Sequence, residues 1–220
     1  MTVAVHTVQR ATWNATLLQR WRNVPTAIIA DISGGACLID PGIRSLRPPG
    51  RQPRLFGPAV TVHCAPPDFG AVLHALDGMQ AGDVFVIAAH ARADHAMIGG
   101  ILGGFLHRRG AAGIVCDGAV RDVAELANFK MSVYARHITP RGPVGVASGE
   151  VNGNVSVGGR SIAPGDLVIG DDDGLASLTL PEAEALIEKA ESKLALEAEW
   201  QRRLAADETI ARVFGLGAID

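Results

Sequence analysis

Cysteine is scarce in this chain of 220 residues: Cys37, Cys64 and Cys116 are odd in number, far apart and without zinc-type spacing. A disulfide framework and a cysteine zinc site are therefore excluded, and the three read as reduced thiols of a cytoplasmic protein. Positive charge is not in excess either. Lys and Arg number 20 against 23 Asp and Glu, for a net charge of −3, and the basic residues are scattered. That pattern gives no electrostatic ground for binding nucleic acid or an anionic membrane. Long apolar runs are missing as well. Nothing approaches the roughly 20 residues that span a bilayer, and the opening stretch MTVAVHTVQRATWNATLLQRWRNV interrupts each apolar step with Arg, Gln or Asn, so no signal peptide is expected.

Glycine and apolar residues are what the chain has in plenty. Hydrophobic residues make up 48% and charged residues 20%, with 26 Gly, which is apolar for a soluble monomer and suggests that subunit contacts hide part of the surface. The length suits one domain over 1–220. Val8, Trp13, Leu17, Leu18 and Trp21 predict a helix within 8–22, and VPTAIIADI a strand or short helix. Residues 40–54, rich in Pro, Gly and Arg, predict an exposed loop before the strand LFGPAVTVHC. AGDVFVIAA at 81–89 and PGDLVIGDD at 164–172 each place a Gly-Asp turn before a strand.

From residue 82 the pattern reads strand (83–89), helix (94–109), strand (112–116), short helix (about 121–128) and strand (132–135), the alternation of parallel strands joined by crossover helices. GEVNGNVSVGGRSIAPGDLVIG then predicts antiparallel hairpins. The fold class is therefore α/β with a mixed sheet. Pro181 suits the first turn of a last helix over about 181–206. Some 25 residues at about 1.5 Å each reach roughly 38 Å, more than such a domain covers on one face, so this helix is expected to touch a neighbouring subunit.

In a parallel arrangement the ligand crevice lies at the carboxyl ends of the strands, here residues 88–100 and 116–122. Gly99, Gly100, Gly103 and Gly104 follow the first end, and each glycine in a helix costs up to about 1 kcal/mol. Close helix packing is one reason, above all for Gly103 and Gly104. Bare amides at a helix start, able to hold a carboxylate or phosphate, are another, for Gly99 and Gly100. Neither a phosphate loop nor a dinucleotide fingerprint matches. At the second end, Asp122 and Glu125 have the spacing of a capping box. The competing reading has Arg121 gripping a carboxylate or oxyanion while Asp122 binds a hard divalent cation. Asp171, Asp172, Asp173 and Gly174 read as a turn after a strand. His90, Asp94 and His95 fall short of a zinc ligand set, and a solvated loop histidine is the plainer reading.

Gly100, twenty residues, Arg121-Asp122, two residues and Glu125 resemble the signature of the class II pyruvate aldolases related to 4-hydroxy-4-methyl-2-oxoglutarate aldolase, which share a fold with the regulator of ribonuclease activity A (RraA). FGPAVTV, LHALDGMQAGDVFVI, RRGAAGIVCDGAVRDV and PGDLVIGDDDG are similar to family segments, in family order, over roughly residues 24–215. The resemblance implies an RraA-like mixed sheet or barrel with a parallel βαβ core, flanking helices and a long C-terminal helix. It implies an enzyme that cleaves 4-hydroxy-2-oxo acids to pyruvate and decarboxylates oxaloacetate, working as a homotrimer or hexamer. By the same resemblance Gly99, Gly100, Ile101, Leu102 and Arg121 hold the small 2-oxo acid substrate. Mg²⁺ or Mn²⁺ sits on Asp122, and an acid from a neighbouring subunit, Glu197 or alternatively Glu199, serves as base. Two departures stand out: Ala88-Ala89-His90-Ala91 replaces the Asp-Gly-Gly-Gly of many relatives, and the acidic residue common at position 100 is absent. The alternative is a non-catalytic regulator that binds a protein partner through the same scaffold.

Overall fold

Near-continuous apolar runs such as VFVIA and GIVC decide the architecture, because strands of this kind bury both faces. The computed structural model describes residues 2–8 and 10–217. In chain order the elements are β1 (Ala4–Val5), α1 (Ala15–Trp21), α2 (Thr26–Ser33), β2 (Leu38–Ile39), β3 (Arg44–Ser45), β4 (Leu55–His63), α3 (Gly70–Leu76), β5 (Val84–Ala88), β6 (Ala96–Ile98) and α4 (Gly100–Arg108). There follow β7 (Gly113–Val120), α5 (Val123–Leu126), β8 (Ser132–Ile138), β9 (Glu150–Val151), β10 (Val155–Val157), β11 (Arg160–Ile162), β12 (Leu167–Gly170), β13 (Leu175–Leu178), α6 (Leu180–Ala205) and α7 (Ile210–Phe214).

Strands β4, β5, β7 and β8 are parallel neighbours, crossed over by α3, α4 and α5. The sheet curls into a half-barrel and continues antiparallel through β12, β13 and β2 on one side and β3 on the other. Val60, Val62, Phe85, Ile87, Ile114 and Val133 face the crossover helices, meeting Val72, Leu106 and Leu126. The opposite side chains, Ala59, Val84, Val86, Val115 and Tyr134, meet Val155, Val157 and Ile162 of the β10–β11 hairpin. A third core joins α1, α2 and the first half of α6 to β12 and β13.

The long helix begins where Thr179 and Glu182 form a reciprocal capping box with Pro181 in the first turn. Ala183, Ile187 and Ala190 are its buried residues. Beyond Ala190 no residue of α6 is buried, so the outer half projects from the core, where Trp200 meets Phe214 of α7 at 4.8 Å between ring centroids. No helix among the described residues is long and apolar enough to cross a membrane.

Four expectations change. The helix expected over 8–22 forms only at Ala15–Trp21, because Asn14 caps Thr16 and the indole of Trp13 is drawn to the Gly165 carbonyl (Gln9 lies outside the described residues). The helix expected over 94–109 starts at Gly100, since Ala96–Ile98 pair with the end of β7 as a strand. Asp117-Gly118, read as a strand end, lies inside β7, where the register shifts between Cys116 and Ala119. The helix expected over 121–128 is the single turn α5.

Candidate active site

At the carboxyl end of β7 the chain turns sharply. Arg121 still donates its N–H to the Ile98 carbonyl at 3.1 Å, extending the pairing with β6, and Asp122 then adopts φ 55° and ψ 42°. A left-handed conformation costs an L-residue roughly 1–2 kcal/mol, with Asp among the types that tolerate it. The turn redirects the side chain. Asp122 makes no capping bond to α5, so the capping box expected with Glu125 does not form. Instead its Oδ2 accepts the Gly100 N–H at 3.0 Å, satisfying an orphan amide at the start of another helix, α4.

Gly99 makes this approach possible. A Cβ there would lie 2.5 Å from Asp122 Oδ2 and 2.8 Å from Arg121 Cγ, so no other residue fits unless the pair moves. Gly103 has the packing role expected of it: a Cβ would fall 2.3 Å from Leu126 Cδ2 of α5. Arg121 Nε stands 3.6 Å from Asp122 Oδ2, and its guanidinium lies against Gly142. Both side chains remain substantially exposed, at 40% and 45%.

Around the pair opens a cavity of about 330 Å³. Phe69 and Leu73 of the α3 region form one wall, Ala96–Gly99 a second, Ile101 and Leu102 a third, and Gly142 with Pro143 the fourth. The loop carrying the fourth wall is tied in by the Thr139 N–H on the Val120 carbonyl and by the Ala96 N–H on the Arg141 carbonyl. Asp68 anchors its far end by accepting from the amides of Gly70, Ala147 and Ser148. Burial pulls the Asp68 carboxyl upward, but those donors outweigh it and hold it below the usual carboxylate range.

Of the residues expected at the site, Gly99, Ile101, Leu102, Arg121 and Asp122 line the cavity, while Gly100 contributes its amide from behind. Ile101 is 82% exposed at the rim. Glu197 does not share the pocket within one chain: it sits on α6 beside Lys193 at 3.7 Å, and Glu199 pairs with Arg202. Sequence reasoning missed Phe69, Leu73, Gly142, Pro143 and Asp68, whose places depend on chain crossings far apart in sequence.

The tempting clusters lie elsewhere. His90 Nε2 meets His63 Nε2 at 2.9 Å, while Asp94 is taken up by Arg92 and by His95 Nδ1 at 3.1 Å. Asp171 receives the Thr26 amide and Asp172 the Gly50 amide, the structural use expected of that turn. Among the described residues no three His, Cys, Asp or Glu side chains converge as a metal-holding group. Asp122 nevertheless suits Mg²⁺ or Mn²⁺: it is half exposed in a cavity, its Oδ1 has no partner among the described residues, and Mg²⁺ often takes only one or two carboxylates, completing its shell with water and substrate oxygens.

A family model described as "RraA-like: Aldolase/RraA" matches residues 26–176. The chain belongs to the RraA-like family. A relative from Halalkalibacterium halodurans, provisionally named 4-hydroxy-4-methyl-2-oxoglutarate aldolase, is 31% identical over 194 residues, covering 88% of this chain and 90% of the relative. A Burkholderia multivorans protein with the same provisional name is 40% identical over 131 residues, covering 60% of this chain and 79% of that one. Among solved structures, Streptomyces coelicolor RraAS2, described as an unusual member of the RNase ES inhibitor RraA protein family, superposes with a TM-score of 0.77 at 24% identity, over 87% of this chain and 100% of that one. That likeness bears out the RraA-like fold expected from the sequence; the two aldolase names suggest a lyase.

Proposed function

We propose that this RraA-like chain is a divalent-metal-dependent aldolase that cleaves 4-hydroxy-2-oxo acids, such as 4-hydroxy-4-methyl-2-oxoglutarate or 4-carboxy-4-hydroxy-2-oxoadipate, to pyruvate, and that also decarboxylates oxaloacetate. One observation carries the reading: Asp122 spends a strained left-handed backbone on turning its carboxylate into a cavity beside Arg121 instead of capping its own helix. Strain held at a cleft is characteristic of functional positions.

Asp122 would hold the cation, which when bound supplies a Lewis acid for the α-keto acid. Arg121 binds the substrate carboxylate with its planar fork and places fixed positive charge where the enolate of pyruvate develops. Breaking the C3–C4 bond leaves its electron pair on the pyruvyl fragment; the 4-hydroxyl loses its proton and becomes the second carbonyl. Loss of CO₂ from oxaloacetate leaves the same enolate, so one site serves both reactions. The backbone of Gly99 leaves room for the pyruvyl end, and Ile101 with Leu102 closes the apolar side. Glu197 of a neighbouring subunit in a homotrimer or hexamer is the proposed base, with Glu199 the alternative; such a subunit would also cover the exposed Ile101.

Pyruvate release from oxaloacetate and from 4-hydroxy-4-methyl-2-oxoglutarate, followed with added Mn²⁺ and after EDTA, tests this. Turnover that EDTA removes and Mn²⁺ restores is expected. No pyruvate at any metal concentration would turn the reading toward a non-catalytic regulator on the same scaffold.

A further inference from the structure

We propose that the wall formed by Phe69 and Leu73 selects 4-hydroxy-2-oxo acids whose carbon 4 carries an apolar group, so that the second product is an aliphatic aldehyde and not another 2-oxo acid. The inference rests on the aldolase reading above and narrows its substrate class. With the carboxylate and keto oxygen of the pyruvyl end at Arg121 and Asp122, the group on carbon 4 has to face the remaining walls. Those walls are uncharged. Among the described residues lining the cavity, only Arg121 and Asp122 carry charge.

The chain builds the apolar wall locally. Phe69 stands at the start of α3, and the Leu73 N–H donates to its carbonyl at 3.3 Å, so the two side chains share one helix face. Phe69 packs against the core behind it, while both side chains stay half-buried and border the cavity. Met97 of β6 and Pro143 continue the same surface. Arg121 can match one carboxylate, the one next to the ketone. A second carboxylate on the substrate would lie against Phe69 and Leu73 without a partner, and an unpaired charge drawn out of water is strongly disfavoured. Behind the wall stands an anion: Asp68, next to Phe69, has its carboxylate held by the amides of Gly70, Ala147 and Ser148. An aliphatic group of the same shape is favoured there by its own burial. At about 330 Å³ the cavity is near the lower end for small-molecule sites, which suits a short branch. The plainer use of the wall, packing against a neighbouring subunit, gives no such preference.

The test compares 4-hydroxy-5-methyl-2-oxohexanoate with 4-hydroxy-2-oxoglutarate, which carry an isopropyl group and a carboxylate at the same place. In each the C3–C4 bond breaks with its electron pair left on C3, the 4-hydroxyl gives up its proton, and carbon 4 becomes the aldehyde carbon of isobutyraldehyde or glyoxylate. Pyruvate release is measured with added Mn²⁺ for the parent and for Leu73→Arg, with folding checked by circular dichroism. Deuterium exchange into the pyruvate methyl group, which needs only the pyruvyl end, is followed on the parent. The parent is expected to favour the isopropyl substrate about 10-fold or more in kcat/KM, and Leu73→Arg to shift that ratio toward the dicarboxylate by a similar factor. Equal rates, a preference for the dicarboxylate, or a folded Leu73→Arg variant with the parent's ratio overturns the inference and leaves the aldolase reading standing. Exchange into pyruvate without release from either substrate also overturns the inference alone. A parent that neither releases pyruvate nor exchanges it overturns both.

Discussion

Asp117 and Asp122 lie a few residues apart at the end of β7, and the fold handles them in opposite ways. Asp117 is 6% exposed, and its two oxygens are taken by Arg136 Nε at 2.6 Å and, at 3.4 Å, by the Gly158 N–H. Asp122 is half exposed, shares one oxygen with the Gly100 amide and stands at 3.6 Å from its arginine. The arginines differ in parallel: Arg136 is held between Asp117 and Asp40, at 3.3 Å from the latter, while Arg121 keeps a free fork toward the cavity. An Asp near the end of a strand, with an Arg beside it, can form a structural pair or a reactive one. What decides is how many of their hydrogen-bonding positions the protein has already filled.

The comparison breaks most visibly at Asp122. Asp122→Asn keeps both tolerance of the left-handed backbone and an acceptor for Gly100, while removing the charge that would hold a cation. Metal-dependent pyruvate release should vanish and thermal stability should move by about 1 kcal/mol or less, the scale of a weakened cap. Asp117→Ala should do the reverse. Removing one partner of a buried pair costs about 3–5 kcal/mol, with the low end expected because Arg136 keeps Asp40. Denaturant unfolding and steady-state kinetics on the two variants would exchange their signatures if the contrast drawn here is mistaken.

Arg121 sharpens the same contrast with a smaller effect. Arg121→Ala should cut kcat/KM by about two orders of magnitude, the scale of losing one fixed donor at a developing charge. Arg121→Lys should recover only part of it, because an ammonium cannot present the planar fork. Unfolding midpoints of both variants should stay near the parent's, since Arg121 is exposed and its one ion pair is loose. Full activity in the lysine variant would mean that charge alone matters there.

Much of this was legible in the sequence. Gly-Asp turns followed by apolar, β-favouring runs marked β5 and β12, and the apolar stripe after Pro181 marked α6. The spacing from Gly100 through Arg121 to Glu125 marked the site. What escaped depended on partners distant along the chain. Asp-Gly at 117–118 has the local chemistry of a turn, yet a register shift carries β7 through it because Arg136, a strand away, neutralises the carboxylate. Ala96–Ile98 have no strand signature of their own and become one only by lying along the end of β7. The left-handed backbone of Asp122 is equally silent in sequence, which is why capping and cation binding looked alike there.

Asp68 separates the pocket wall from the core, and the expected effect is the smallest and most local. Three amides hold its carboxyl below the usual range, so its contribution to stability is fully present above the ordinary Asp value, about 3.9, and is lost as pH falls through the lower folded value. Acid should therefore loosen the Ala147–Ser148 end of the wall below about pH 4, while the amides of Val86 and Val115, fully buried in the parallel strands, stay protected. Hydrogen exchange measured between pH 5 and 3, corrected for intrinsic rates, should show protection at Ala147 and Ser148 falling ahead of that at Val86 and Val115. Asp68→Ala should produce the same local loss at neutral pH. Protection that falls in step across all four amides would mean that the wall opens only with the whole fold, and that Asp68 belongs with Asp117 as a structural acid and has no separate hold on the pocket.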